Sequence, residues 1–102
     1  MKTLSQIQQQ LAEGQFDFSQ HAFRRAVERN VSESDIRQAG AKAEEIEKYP
    51  DDKYSPSGLL LGFTNSGQPL HFQVSYAETD LVRIITLYEP NPAEWVDFRK
   101  RR

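Results

Sequence analysis

The chain has 102 residues, of which 37% are hydrophobic and 27% charged, and its formal net charge at pH 7 is −2. These values are typical of one globular domain, and they argue against a protein that coats nucleic acid nonspecifically. The chain has no cysteine and only two histidines, which excludes a disulfide framework and leaves few ligands for a metal. We therefore predict a single domain over residues 1–102 that needs no metal or other cofactor.

The distribution of apolar residues bears on the cellular compartment. The longest apolar run, Leu59–Leu61, is far too short to cross a membrane. The first residues lack the apolar region and the small-residue cleavage site of a signal peptide. We therefore expect a cytoplasmic protein with no membrane partner.

Three helices are predicted in the first 40 residues. The first carries the stripe of Leu4, Ile7 and Leu11 and ends at Gly14. The second starts after Ser19 as N-cap and runs to about Asn30, which suits a left-handed position after a helix. Its apolar stripe is Ala22, Phe23, Ala26 and Val27. The third, short helix opens at 32–35 and ends at Gly40.

Four strands are predicted after the helices, because the hydrophobic period changes to two. They are expected at 43–49, 58–63, 70–76 and 81–88, joined by short turns such as 65–67. Pro92 then suits the start of a closing helix that carries Trp95, Val96 and Phe98. The predicted fold class is α+β: N-terminal helices, a four-stranded antiparallel meander and a short C-terminal helix.

The second helix carries a ridge of cations. His21, Arg25 and Arg29 are spaced i, i+4, i+8, and Arg24 lies beside them. Arginines bind phosphate bidentately, so the ridge is a candidate phosphate clamp. The alternative is an ordinary solvated helix face. Judged by charge alone, this alternative is favoured over the phosphate clamp.

A second group of polar residues is expected on the sheet. His71 points opposite to Leu70 and Phe72, and the neighbouring last strand places Thr86 and Tyr88 on one side. A histidine beside hydroxyls and cations suits acid–base chemistry on a phosphodiester. An equally weighted alternative is a histidine that is hydrogen-bonded beneath the C-terminal helix.

These segments, taken in order over residues 16 to about 100, resemble a small bacterial family of domains of unknown function. The pattern is S-x-H-A-x-x-R … E-R, Y-P-x-D, G-x-P-L-H and T-x-Y-x-P-x-x-x-x-W, which matches Phe18–Arg29, Tyr49–Asp52, Gly67–His71, Thr86–Pro90 and Trp95. Gln68 stands where relatives often have a basic residue, which removes one phosphate contact. The family resembles RelE-like and BrnT-like toxins, in which helices precede an antiparallel sheet and RNA is cleaved without a metal.

The resemblance implies a toxin-like endoribonuclease that attacks the phosphodiester with the RNA's own 2′-hydroxyl. Its partners would be RNA, mRNA in particular, and a cognate antitoxin protein. The implied catalytic residues are His71, His21, Thr86 and Tyr88. The implied phosphate- and RNA-binding residues are Arg24, Arg25, Arg29 and Lys53.

Two other functions stay open. One is a non-catalytic module of the same fold that binds RNA or a protein, and the other is a structural interaction domain that uses the acidic segment 32–52. Convergence of His71, Thr86 and Tyr88 in one cleft with an arginine would favour the enzyme. Burial of His71 beneath the C-terminal element would favour the binding module.

Overall fold

The computed structural model describes residues 1–53 and 55–102 and has an α+β architecture. Three helices accompany a five-stranded mixed sheet and a separate two-stranded sheet. The elements in chain order are α1 Leu4–Ala12, β1 Phe16–Phe18, α2 Gln20–Glu28, α3 Glu33–Ala41, β2 Glu44–Tyr49, β3 Ser57–Phe63, β4 Pro69–Ser75, β5 Val82–Tyr88, β6 Trp95–Val96 and β7 Lys100–Arg101.

The main sheet has the strand order β1-β5-β4-β3-β2, and β1 pairs with β5 in parallel while the other pairs are antiparallel. The predicted four-stranded antiparallel meander is therefore wrong as a description of the fold. β1 has only three residues, too few to show a period of two. Its partner in β5 lies 66 residues further along the chain, as in the pair Phe16 with Val82.

Side-chain capping fixes where the helices begin. Ser19 accepts a hydrogen bond from the Ala22 amide at 3.0 Å, which confirms the predicted N-cap of α2. The Ser19 hydroxyl also donates to the Ile85 carbonyl at 2.7 Å, so the cap ties α2 to β5. Asn30 has the predicted left-handed conformation, with φ 57°.

The hydrophobic core lies between the helices and one face of the sheet. Ile7 and Leu11 from α1, Ala22 and Ala26 from α2, and Ile36 from α3 pack there. The sheet contributes Leu60, Leu70, Phe72, Val74, Val82, Ile84 and Leu87. We call this the helix face of the sheet.

The helices lie close to one another and to this face. A Cβ added at Gly62 of β3 would stand 2.0 Å from the Ala39 carbonyl oxygen of α3, and one at Gly40 would stand 2.4 Å from Leu11 Cβ. Gly40 lies inside α3, so the prediction that it ends the helix is wrong. Its role is to let α1 and α3 approach.

The predicted C-terminal helix is also wrong, because a small hairpin stands in its place. Trp95 pairs with Arg101 and Val96 with Lys100, and the connection passes through Asp97 and Phe98. Both of these residues have positive φ, 53° and 61°, which a right-handed helix does not allow. We call residues 95–101 the C-terminal hairpin. No helix among the described residues has the length and apolarity that crossing a membrane requires.

Candidate functional site

The sheet face turned away from the helices carries a row of polar side chains. Antiparallel pairing sets His71 opposite Tyr88 on β5 and Gln73 opposite Thr86. Leu61 of β3 lies on the other side of His71. Residues paired across strands project to the same face, so His71, Thr86 and Tyr88 share one surface, as predicted. The C-terminal hairpin covers this surface, which we call the hairpin face.

His71 is fully buried beneath the hairpin, with 0% of its surface exposed. Its Nε2 lies 2.6 Å from the Phe98 carbonyl oxygen, and its Nδ1 lies 3.1 Å from the Tyr88 hydroxyl. A carbonyl only accepts, so Nε2–H donates to Phe98 and the Tyr88 hydroxyl donates to Nδ1. The Trp95 ring meets the imidazole edge to face at 4.5 Å. Both ring nitrogens are thus engaged within the protein.

A carboxylate and a guanidinium lie beside this histidine. Arg101 donates to both carboxylate oxygens of Glu47, at 2.8 and 3.2 Å, and Tyr49 donates to the same carboxylate. The Arg101 guanidinium also lies 4.7 Å from the centre of the Trp95 ring. This group of residues therefore joins the edge strand β2 to the C-terminal hairpin.

A β-bulge explains why Glu47 reaches the hairpin face. The register of β2 against β3 shifts between Glu45 and Glu47, so Glu45 pairs with Leu60 and Glu47 with Leu59. Without the bulge both glutamates would point to the same face. In the sequence, Glu47 stands within the acidic segment 32–52, and Arg101 belongs to the basic C-terminus. No local signal indicates that the two meet.

The electrostatic environment sets the charge states of these groups. Burial is the main cause that lowers the pKa of His71, which favours the neutral imidazole. The hydrogen bond from Arg101 is the main cause that lowers the pKa of Glu47, so this carboxylate stays ionised. Burial raises the pKa of Tyr49 to about 12 and also raises that of Tyr88. The hairpin face thus holds a neutral histidine, two protonated tyrosines and the Glu47–Arg101 ion pair.

The turn after β2 borders the same face. The Asp52 carboxylate accepts hydrogen bonds from the Ser57 hydroxyl at 2.9 Å and from the Gln73 amide at 3.0 Å. Lys53 is exposed in this connection, next to Asp52. Of the residues that carried the family resemblance, Asp52, His71, Thr86, Tyr88 and Trp95 therefore lie on or beside the hairpin face.

The cations of α2 lie elsewhere. Ala22 and Ala26 bury α2 in the core of the helix face, so the whole helix is on the opposite side of the sheet from His71. His21, Arg24 and Arg29 are exposed and Arg25 is half-buried. The structure thus groups His71, Thr86 and Tyr88, but it does not bring His21 or the arginines of α2 to them.

The arginines of α2 differ from most other arginines of the chain in that they have no ion-pair partner among the described residues. Arg83, Arg99 and Arg101 form ion pairs with Asp17, Glu44 and Glu47 at 2.6 to 2.8 Å. Among the residues that the structure describes, no ion pair involves Arg24, Arg25 or Arg29. The ridge of α2 therefore presents cationic charge that no ion pair among the described residues neutralises.

Only half of the predicted apolar stripe of α2 is buried. Ala22 and Ala26 are buried, but Phe23 and Val27 are 59% and 67% exposed. These two residues lie on the flank of α2 that faces β1, where Phe18 meets Phe23 edge to face at 6.2 Å. Two large apolar side chains one helical turn apart thus remain at the surface.

Comparison with known proteins gives one finding. A family model described as a domain of unknown function, DUF4258, matches residues 18–89, which include α2 and all of β2 to β5. The C-terminal hairpin lies beyond the matched range. No curated protein and no solved structure matches the chain. The match covers well over half of the sequence, and the chain belongs to the DUF4258 family.

Proposed function

We propose that this domain is a non-catalytic module that binds RNA through the basic ridge of α2. The observation that carries the proposal is the set of three arginines on one helix without an acidic partner among the described residues. Arginine binds phosphate in a planar, bidentate geometry, and an arginine that is not already paired does not have to break an ion pair first.

The state of His71 supports binding over catalysis. A group that transfers a proton in a reaction must reach the substrate directly or through one water. His71 is covered by Trp95, and its two nitrogens are held by Phe98 and Tyr88. The arginines that would neutralise a phosphate lie across the sheet from it.

Binding of a fluorescently labelled single-stranded RNA, followed by anisotropy at several salt concentrations, tests the proposal. Each phosphate contact on a single strand changes the slope of log K against log[salt] by about −0.7. Arg25→Ala with Arg29→Ala should weaken binding and make this slope shallower by about 1.4. The matched control is Arg83→Ala with Arg99→Ala, which removes the same charge from ion-paired positions.

Equal losses in the two double variants would mean that net charge alone determines binding, and would overturn the assignment to α2. Absence of binding by the unmodified chain at low salt would overturn the proposal as a whole.

A metal-independent endoribonuclease is the second candidate. It is favoured by the group of Glu47, His71, Tyr88 and Arg101 on the hairpin face, which includes a carboxylate, an imidazole, a hydroxyl and a cation. Attack by a 2′-hydroxyl requires a base, an acid and a positive charge near the phosphorus. The substrate would reach these groups only after the C-terminal hairpin has moved away.

This candidate is tested with labelled RNA and the unmodified chain, with and without a chelator. Cleavage should persist with the chelator, leave cyclic phosphate ends and stop on a 2′-deoxy substrate. His71→Ala should slow it by about 100- to 10,000-fold. A toxin of this kind would also require a cognate antitoxin, and purification from the native operon should recover the complex. An intact substrate after incubation with the chain would eliminate the enzyme.

A further inference from the structure

A groove lies between β1, α2 and the start of α3, on the flank of α2 away from the basic ridge. Its volume is about 580 Å³, and its lining includes Phe16, Phe18, Phe23, Val27 and Val31. Phe16 and Phe18 are half-buried and stack edge to face at 5.7 Å. Large apolar surfaces that stay open in this way mark interaction sites in soluble proteins.

The floor of this groove is a free sheet edge. β1 is the outermost strand on its side, and no strand of the described chain pairs with its other edge. The Val82 amide donates to Gln15 and the Ser19 amide donates to Ile84, so residues 15, 17 and 19 turn their backbone groups toward β5. Backbone groups alternate along a strand, and those of Phe16 and Phe18 therefore point away from the sheet.

Charged side chains near the two ends of the groove would orient a bound ligand. On the helical wheel of α2, Arg24 is next to Val27 on the exposed side, and it has no ion pair among the described residues. At the opposite end, Glu33 lines the groove in the first turn of α3. A ligand that spans the groove would meet the Glu33 carboxylate in the lining at one end and, where it extends past Val27, the Arg24 guanidinium beside the groove.

We propose that this groove binds an extended segment of a partner protein, which adds to the edge of β1 as a sixth strand. Its backbone pairs with the free amides and carbonyls of Phe16 and Phe18. Alternate apolar side chains of the segment fill the space between β1 and α2, an acidic residue faces Arg24, and a basic residue faces Glu33. A free edge recognises an extended backbone through main-chain hydrogen bonds, and pockets for alternate side chains supply specificity.

This inference shares only Arg24 with the proposed RNA-binding ridge, because the groove lies on the flank of α2 away from Arg25 and Arg29. A helical ligand would fill the apolar space, but it would leave the amides of Phe16 and Phe18 without partners. A second copy of this chain is the remaining occupant, and it is distinguished by the oligomeric state.

The test begins with selection of 12-residue peptides from a displayed random library against the immobilised full chain. The selected peptides should alternate apolar and polar residues, with an acid toward one end and a base toward the other. Val27→Asp should weaken binding of a selected peptide by about 10- to 100-fold. Val96→Asp is the matched control, since Val96 is also exposed but lies on the C-terminal hairpin, and it should leave the affinity unchanged.

Hydrogen exchange then identifies the binding mode. The bound peptide should slow exchange of the Phe16 and Phe18 amides, and N-methylation of alternate peptide amides should abolish binding. The Arg25→Ala, Arg29→Ala chain should retain the peptide, so failure of RNA binding and failure of this inference are separate results.

Four outcomes would overturn the inference. They are a library that yields no binder, peptides that bind Val27→Asp equally well, exchange at Phe16 and Phe18 that does not change, and a concentration-dependent dimer of the free chain that Val27→Asp dissolves. The last would assign the groove to a second copy.

Discussion

The two faces of the main sheet are buried by different means. On the helix face, three helices enclose apolar side chains, among them Phe72, which is 1% exposed. On the hairpin face, a short C-terminal hairpin covers His71 and its polar neighbours, and Trp95 is the large apolar contact, 3% exposed. The first face excludes water through apolar area, whereas the second combines a smaller apolar contact, which includes Leu59, Leu61 and Trp95, with hydrogen bonds and ion pairs.

The difference indicates which part of the molecule can open. Apolar burial by three helices is distributed over many residues, and loss of one helix would expose the whole core. The hairpin covers its face with a few contacts, and its turn holds Asp97 and Phe98 at positive φ, an arrangement that costs about 1 kcal/mol or more per residue. We therefore expect the helix face to determine the global stability and the hairpin face to open locally.

The largest expected effect is on the helix face. Phe72→Ala should reduce the free energy of unfolding by about 3–5 kcal/mol, because it leaves a cavity in a close-packed core. Urea denaturation followed by circular dichroism measures this loss. Phe63→Ala is the matched control, since Phe63 is exposed at the end of β3. Its cost should stay near 1 kcal/mol or below. Similar costs for both variants would contradict the assignment of the core to the helix face.

Trp95→Ala should have the next largest effect. It should reduce the free energy of unfolding by about 3 kcal/mol, the lower end of the range for replacing a buried aromatic residue by Ala. Its consequence should be local, because the helix face remains intact. With the cover removed, water reaches the imidazole, so the pKa of His71 should rise toward its ordinary value. An NMR titration of the histidine rings measures this directly. A His71 signal that does not move would show that the hairpin stays closed without Trp95.

The sequence predicted most of the regular elements, because their signals are local. Ser19 as a cap, Asn30 at a left-handed position and the alternation at 70–76 each depend on neighbouring residues. β1 was missed because a three-residue parallel strand has no local signature, and its partner β5 is remote. The C-terminal helix was predicted from Pro92 and the spacing of its apolar residues. The left-handed conformations of Asp97 and Phe98, which exclude the helix, have no signal in the sequence.

For the candidate site, the sequence predicted the direction of side chains within one helix or strand, but not which elements meet. Alternation placed His71 on the face opposite to Leu70 and Phe72, and the structure agrees. The side of the sheet on which α2 packs could not be read from periodicity, so the sequence could not separate the arginines of α2 from His71. The meeting of Glu47 with Arg101 depends on a bulge and on a contact across 54 residues. Such contacts follow from tertiary packing.

The pH dependence of stability sharpens the contrast between the faces. The folded pKa of His71 is lowered, whereas an unfolded histidine titrates near 6.5. As the pH falls below about 6.5, the unfolded chain takes up a proton that the folded chain does not, and stability decreases. His71→Gln should flatten this slope, as measured by urea denaturation between pH 7.5 and 5. The pKa of Glu47 is lowered from its ordinary value of 4.5, so this carboxylate changes the stability only below about pH 4.5, outside this window. A slope unchanged by His71→Gln would assign the effect to other groups.

The smallest expected effect concerns the Glu47–Arg101 ion pair between β2 and the C-terminal hairpin. Arg101 is exposed, and water screens its charge, so Arg101→Ala should cost only about 0–1 kcal/mol despite its two bonds to Glu47. A double-mutant cycle with Glu47→Gln isolates the pair, and the Arg99–Glu44 pair, with its 2.6 Å contact, is the matched reference. The Arg101 pair should have the larger coupling energy, because it has two hydrogen bonds and its Glu47 side chain is only 23% exposed, compared with 48% for Glu44. A coupling above about 2 kcal/mol would exceed what exposed pairs contribute. It would show that charge, more than the Trp95 ring, holds the hairpin over His71.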